Sequence, residues 1–166
     1  MKIDIKNIEQ EDWVAVANIY HLGIKTRNAT FETEIPTWQE WDKAHLQSCR
    51  FTARIENSLV GWAALSPVSD RCVYGGVAEV SVYVDTTYSG IGIGTKLLQE
   101  LIVQSEKEGI WTLQSGIFPE NESSLILHKK LGFREIGFRE KIGKMKNGVW
   151  RDNIILERRS KIVGIN

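Results

Sequence analysis

The chain carries only two cysteines, Cys49 and Cys72, in 166 residues. Their separation fits neither a metal motif nor a disulfide framework, so both are expected as reduced, packed thiols of a cytoplasmic protein, with no metal ligand set. Prolines number three, and no Pro/Ser-rich linker, repeat or low-complexity run interrupts the chain. One domain over residues 1–166 is therefore expected. Neither charge is in excess: 21 Lys and Arg balance 21 Asp and Glu, which weighs against a nucleic-acid partner, since such binders are usually basic. The basic bias of residues 128–161 reads as the exposed charges of a hairpin. No apolar run approaches the ~18 residues of a membrane span. The opening Met1-Lys2-Ile3-Asp4-Ile5 alternates and contains an acid, so it reads as a strand start, not a signal peptide, and no membrane partner is expected.

What is present is an ordinary globular mixture, 42% hydrophobic and 25% charged, in a chain long enough to bury a core. Residues 2–8 read as a strand. Glu11 and Asp12 open a helix in which Trp13, Val16, Ala17, Tyr20 and Ile24 recur at helical spacing. A polar break at 26–30 and a short connection at 31–36 lead to a second helix holding Trp38, Trp41 and Leu46. Strands follow at Phe51–Glu56 and Leu59–Leu65, joined by a turn at Asn57-Ser58. In Val77–Asp85, Val80, Val82 and Val84 share one face and Glu79, Ser81 and Tyr83 the other. Leu97, Leu98, Leu101 and Ile102 stripe a third helix that Gly109 stops. Trp111–Phe118 reads as a strand, Asn121 caps a fourth helix through Leu131, and Phe133–Lys146 and Val149–Glu157 form a hairpin about Asn147-Gly148. This order predicts an α+β fold, a mixed and mainly antiparallel central sheet with helices on both faces. Most of the six tryptophans are expected in the core, with Trp38 and Trp150 candidates for a subunit contact.

The segment Gly90-Ile91-Gly92-Ile93-Gly94-Thr95 joins a strand to a helix. Alternating glycines open backbone angles closed to other residues and let a ligand approach the main chain. Amides at a helix start bind anions, so a phosphate or pyrophosphate suits this loop; a plain tight turn is the alternative. It is not a P-loop, because Lys96 follows Thr95, and its GxGxG spacing does not match the dinucleotide fingerprint.

Val82-Tyr83-Val84 followed by this loop resembles motif A of the GNAT N-acetyltransferase superfamily, and Asn121 through Leu131-Gly132-Phe133 resembles its motif B. Within the superfamily the chain looks similar to the phosphinothricin acetyltransferase-like group, on Asn18-Ile19-Tyr20, Thr30-Phe31-Glu32, Ala78 to Val84, His128 and Asn147 to Asp152. The resemblance spans nearly the whole chain. It implies acetyl-CoA as co-substrate, with its pyrophosphate held by Gly90, Ile91, Gly92, Ile93, Gly94 and Thr95. Ser89 stands where the family motif has Gln or Arg, which removes one side-chain contact and leaves the backbone contacts. The resemblance also implies that pantetheine pairs with Val82, Tyr83 and Val84 and that Asn121 bonds near it; Lys130, with Lys129 beside it, is a candidate for the ribose phosphate, with a solvated helix face the alternative.

Direct acetyl transfer needs a neutral amine, a donor for the developing oxyanion and a proton for the departing thiolate. Glu79, mid-strand where glutamate is disfavoured, matches the group's catalytic base; a solvated strand residue is the alternative. His128 matches a residue near the sulfur, as general acid or proton relay, or is simply a packed helix histidine. Arg27, Thr30, Phe31 and Tyr74 are the candidate acceptor contacts, Arg27 for a carboxylate, with Thr26, Asn28, Glu32, Gly75 and Gly76 nearby. The implied acceptor is a small-molecule amine, an amino acid or analogue such as phosphinothricin, methionine sulfone or methionine sulfoximine, and the implied assembly a homodimer. A peptide or protein N-acetyltransferase and a non-catalytic CoA-binding module are the alternatives.

Overall fold

Strand β3 (Ser58–Pro67) is apolar on both faces because both are covered, with Val60 to Leu65 buried without interruption. On one face lies α3 (Ile93–Lys107), whose Leu97, Leu98 and Leu101 are wholly buried against Phe51, Val60, Leu65 and Val80. On the other lie α1 (Trp13–Thr26) and α2 (Trp38–Ala44), which pack Val16, Ile19 and Trp41 onto Trp62 and Ala64. Burying each such leucine or valine contributes about 1.5–3 kcal/mol, so helices on both sides are the favourable arrangement.

The computed structural model describes residues 1–166. The remaining elements are β1 (Asp4–Asn7), β2 (Arg50–Ile55), β4 (Val77–Val84), β5 (Thr112–Ile117), α4 (Glu122–Lys130), β6 (Arg134–Lys144) and β7 (Trp150–Arg159). One seven-stranded sheet runs β1-β2-β3-β4-β5-β7-β6. Only β4 and β5 pair in parallel; every other neighbour is antiparallel. This is the α+β architecture expected from the sequence. No helix is long and apolar enough to cross a membrane.

Several local expectations shift. The β2–β3 turn centres on Glu56-Asn57, both left-handed at φ 48° and 70°, one residue earlier than expected. Two left-handed residues in succession match the twist of a tight hairpin. α1 begins at Trp13 after a single 3₁₀ turn at Gln10–Asp12. Leu46 lies beyond α2, where its N–H donates to Leu65 O at 2.8 Å. Cys49 is buried as expected, but Cys72 is exposed, on a 3₁₀ turn (Cys72–Tyr74) that no helix covers.

Candidate active site

β4 and β5 are partners for only three residues, Val77 to Glu79 opposite Thr112 to Gln114. Beyond that point β4 stays with β3 as far as Val84, while β5 follows β7 to Ile117. The two strands therefore part, and a cleft of about 470 Å³ opens between them. The N–H of Asp85 donates to Val60 O at 2.8 Å. Main-chain groups in an antiparallel pair alternate in direction, so this bond turns Ser81 and Tyr83 towards β3 and turns the N–H and C=O of Val82 and Val84 into the gap. Those groups have no strand opposite them, and a ligand with amide groups of its own satisfies them as an added strand does.

The loop after β4 brings a helix start over the same gap. Gly90 and Gly92 are left-handed, at φ 79° and 90°, which explains glycine at both places. The first bond inside α3 runs from Lys96 N–H to Gly92 O at 3.1 Å, so the amides of Ile93, Gly94 and Thr95 have no partner in the helix. A Cβ on Gly94 would lie 3.1 Å from Leu127 of α4 and within 4.0 Å of Val82 and Val84. The amide fan thus sits directly above the unpaired stretch of β4, and a diphosphate suits it. Open main chain and free helix amides together fit the pantetheine arm and pyrophosphate of coenzyme A.

His128 is held at the wall of the cleft, 3% exposed, its ring edge-on to Phe133 at 5.0 Å. Its Nδ1 lies 2.7 Å from Ser124 O. A carbonyl only accepts, so Nδ1 carries the proton and Nε2 presents a lone pair. Nε2 is buried and has no partner. Burial holds the imidazole pKa below its ordinary 6.5, outweighing the bond to Ser124. The resting ring is therefore neutral and equipped to accept a proton. Glu79 lies where β4 and β5 part, exposed and facing the same cleft.

The profile of the acetyltransferase (GNAT) family matches residues 4–133. The chain belongs to that family. Among GNAT proteins, it is 31% identical over 155 residues to the phosphinothricin N-acetyltransferase of Streptomyces viridochromogenes, covering 90% of this chain and 84% of that one. It is 28% identical over 155 residues to the L-amino acid N-acyltransferase MnaT of Escherichia coli, 90% of each chain. A GNAT phosphinothricin acetyltransferase of Sinorhizobium meliloti, solved in complex with AcCoA, superposes with TM-score 0.88 at 25% identity, over all of this chain (100%) and 92% of the other. A ribosomal-protein-alanine N-acetyltransferase of Brucella melitensis superposes with TM-score 0.86 at 26% identity, over 95% of this chain and 99% of that one.

Of the residues singled out in the sequence, this GNAT cleft is lined by Glu79, Val82, Tyr83, Asn121, His128, Thr30 and Phe31. Phe31 stands edge-on to Phe118 at 4.8 Å. Asn121 caps α4 through Ser124 N–H at 3.3 Å, and its Nδ2 donates to Asn28 O at 3.1 Å, tying the loop after α1 to the start of α4. Tyr83 stacks on Trp62 at 4.8 Å, and burial raises its hydroxyl pKa. It also borders a second cavity of about 560 Å³ that shares Thr30, Glu32, Glu79 and Ser81 with the first. Trp41, Trp62 and His45 wall that annex. His45 Nδ1–H donates to Trp41 O at 2.7 Å, and burial keeps this ring neutral as well.

Arg27, Tyr74 and Lys130 do not line the cleft. Arg27 ends α1 in a left-handed turn at φ 60° and is exposed; its carbonyl accepts from Arg151. Tyr74 is on the 3₁₀ turn before β4, beneath the guanidinium of Arg71 at 5.6 Å. Lys130 is exposed at the end of α4, and neighbouring Lys129 pairs with Glu135 at 2.7 Å. Unforeseen lining residues are Gln114, Ser124, Arg139 and Asn153. The strand pattern held a signal for Gln114, whose register partner is Glu79; Arg139 and Asn153 come from a hairpin whose register the sequence does not reveal.

Proposed function

We propose that the chain transfers the acetyl group of acetyl-CoA directly to the amine of a small amino acid or analogue, of the phosphinothricin, methionine sulfone or methionine sulfoximine type. One observation carries this reading: the cleft at the fork of β4 and β5 holds Glu79, His128 and the unpaired main chain of Val82, and the free amides at the start of α3 lie beside it, with Gly94 against Val82 and Val84. The names of the relatives support the acceptor class. So does an L-methionine sulfoximine/L-methionine sulfone acetyltransferase of Pseudomonas aeruginosa, 38% identical over 77 residues, 46% of this chain and 44% of that one. Stitching of loop 28–32 to Asn121 and to the β6–β7 hairpin narrows the acceptor side and favours a small acceptor over a peptide. We also read the protein as a cytoplasmic homodimer, supported by the exposed Phe138 and Ile142 on edge strand β6.

Bound acetyl-CoA supplies an activated acyl thioester. Main-chain groups of Val82 and Val84 hold its arm in the gap, while the amides of Ile93 to Thr95 take the diphosphate charge. Asn121 bonds beside the arm, and Lys130, exposed at the end of α4 outside the cleft, is free to meet the outer phosphate. An α-amino group titrates near pH ~8, so much of it is protonated at neutrality. Glu79 takes that proton, directly or through one water, and exposes the lone pair. The N–H of Val82 is the donor for charge developing on the carbonyl oxygen. Nε2 of His128 takes the proton released as the new bond forms and returns it to the leaving group; the ring starts and ends neutral, as its burial requires.

A thiol-release assay with acetyl-CoA and a panel of free amino acids and analogues tests the activity. Glu79→Gln removes the base and keeps the shape; kcat/KM falls about 10²- to 10⁴-fold and the acidic limb of the pH profile flattens. An unchanged kcat/KM and limb would remove Glu79 from the mechanism.

A further inference from the structure

Charged side chains in the cleft are few. Glu32 and Glu79 are the carboxylates and Arg139 is the one cation, since burial keeps His128 neutral. Three other cations of the β6–β7 hairpin are paired, Arg134 to Glu157 at 2.5 Å, Lys146 to Glu34 at 3.2 Å and Arg151 to Glu120 at 3.1 Å, while Lys141 and Lys144 do not line the cleft. Arg139 has no carboxylate within salt-bridge distance and no hydrogen-bond partner, and its exposed side chain lies among the cleft-lining residues.

The backbone sets this orientation. Arg139 is opposite Asn153 in the β6–β7 ladder, and both line the cleft. Immediately afterwards the register breaks, between Arg139 and Gly143. Lys141 is left-handed at φ 46° and its N–H is held by Asp152 at 2.8 Å. Such bulges re-aim side chains and occur beside active sites. The bulged strand then closes on the acceptor loop: a Cβ on Gly143 would come within 2.5 Å of the Phe31 ring, so only glycine permits this approach. The backbone of Arg139 is thereby placed on the strand that meets Phe31, whereas the amide fan of α3 lies beside β4.

We infer that Arg139 holds the α-carboxylate of the acceptor, the role the sequence suggested for Arg27. The inference rests on the acetyltransferase reading above and adds to it the side chain that holds the carboxylate end of the amino-acid acceptor. An α-amino acid offers an ammonium and a carboxylate, and the cleft offers Glu79 for one and an uncommitted planar guanidinium for the other. A guanidinium binds a carboxylate through two parallel bonds, which also orients the amine.

The test compares kcat/KM for free L-amino acids, methionine sulfone and phosphinothricin, each paired with its α-carboxamide, in wild type, Arg139→Lys and Arg139→Ala. Wild type favours the free acids. Arg139→Ala lowers kcat/KM for the acids about 10- to 100-fold, the range of hydrogen bonds to charged groups, mainly through KM. Carboxamides and the KM for acetyl-CoA stay unchanged, and Arg139→Lys recovers part of the loss. A preference for acids that survives Arg139→Ala, an equal loss for acids and carboxamides, or wild-type turnover confined to carboxamides or peptides overturns the assignment while leaving acetyl transfer intact. No turnover of any acceptor overturns the acetyltransferase reading itself, and with it the assignment.

Discussion

His128 shows how one hydrogen bond assigns chemistry. The Ser124 carbonyl accepts a hydrogen bond from Nδ1–H, which leaves Nε2 as a buried acceptor without a partner. A ring kept below its ordinary pKa of 6.5 binds a proton less readily folded than unfolded. Stability is therefore full above about pH 6.5 and is lost as pH falls through that value towards the folded pKa. His45, lowered for the same reason, acts with the same sign. His128→Asn keeps a donor for Ser124 and removes the titrating group. Calorimetric Tm against pH is expected to slope less steeply in this variant than in wild type below about pH 6.5, with a remainder from His45, and kcat to fall at least about tenfold. Equal slopes would show that His128 titrates alike in both states. Glu79 and His128 were singled out by the family resemblance, since strand alternation and a helix cap alone leave a solvated glutamate and a packed histidine equally open; the structure brings both side chains to one cleft. Arg139 was not singled out, because its face depends on the register of a hairpin with irregular pairing that no local pattern announces.

At the scale of elements, the glycine loop and α3 work as one device. Gly92 sits at φ 90° with nothing within 4 Å of an added Cβ, so a substitution there meets backbone strain and no clash. Gly92→Ala costs about 1–2 kcal/mol of left-handed strain, and the loop relieves it by moving its amides. Titration calorimetry is expected to show coenzyme A binding weakened about tenfold or more, while the acceptor KM is unchanged. Full affinity in the variant would mean that the amide fan is not the diphosphate site. The loop was legible because three alternating glycines between a strand and a helix have few other uses. The turns were less so: Glu56-Asn57 displaced the expected turn by one residue, and Arg27 ended α1 in the left-handed region and fell outside the cleft.

Over the whole molecule, Arg151 joins parts far apart in sequence. From β7 it donates to Arg27 O at 2.5 Å and Asn28 Oδ1 at 3.0 Å, pairs with Glu120 at 3.1 Å, and lies over the Phe118 ring at 4.0 Å. Its side chain is only 12% exposed, so these bonds are made largely out of water. Arg151→Ala is expected to cost about 1–3 kcal/mol, a Tm lowering of several degrees, and to raise the acceptor KM with the KM for acetyl-CoA retained. An unchanged acceptor KM in a destabilised variant would make the stitch purely structural. The Brucella ribosomal-protein-alanine acetyltransferase shares this fold, so the fold by itself does not name an acceptor.

The amino-acid sequence by itself determined the elements, their order and the glycine loop that opens α3. Periods of two and of 3.6, helix caps and glycines act through neighbours a few residues away. Tertiary structure alone decided where β4 leaves β5, that Arg139 and not Arg27 faces the cleft, and that Cys72 is exposed. Each of these depends on pairing between segments distant in the chain, and a single-residue slip in such pairing turns a side chain to the opposite face.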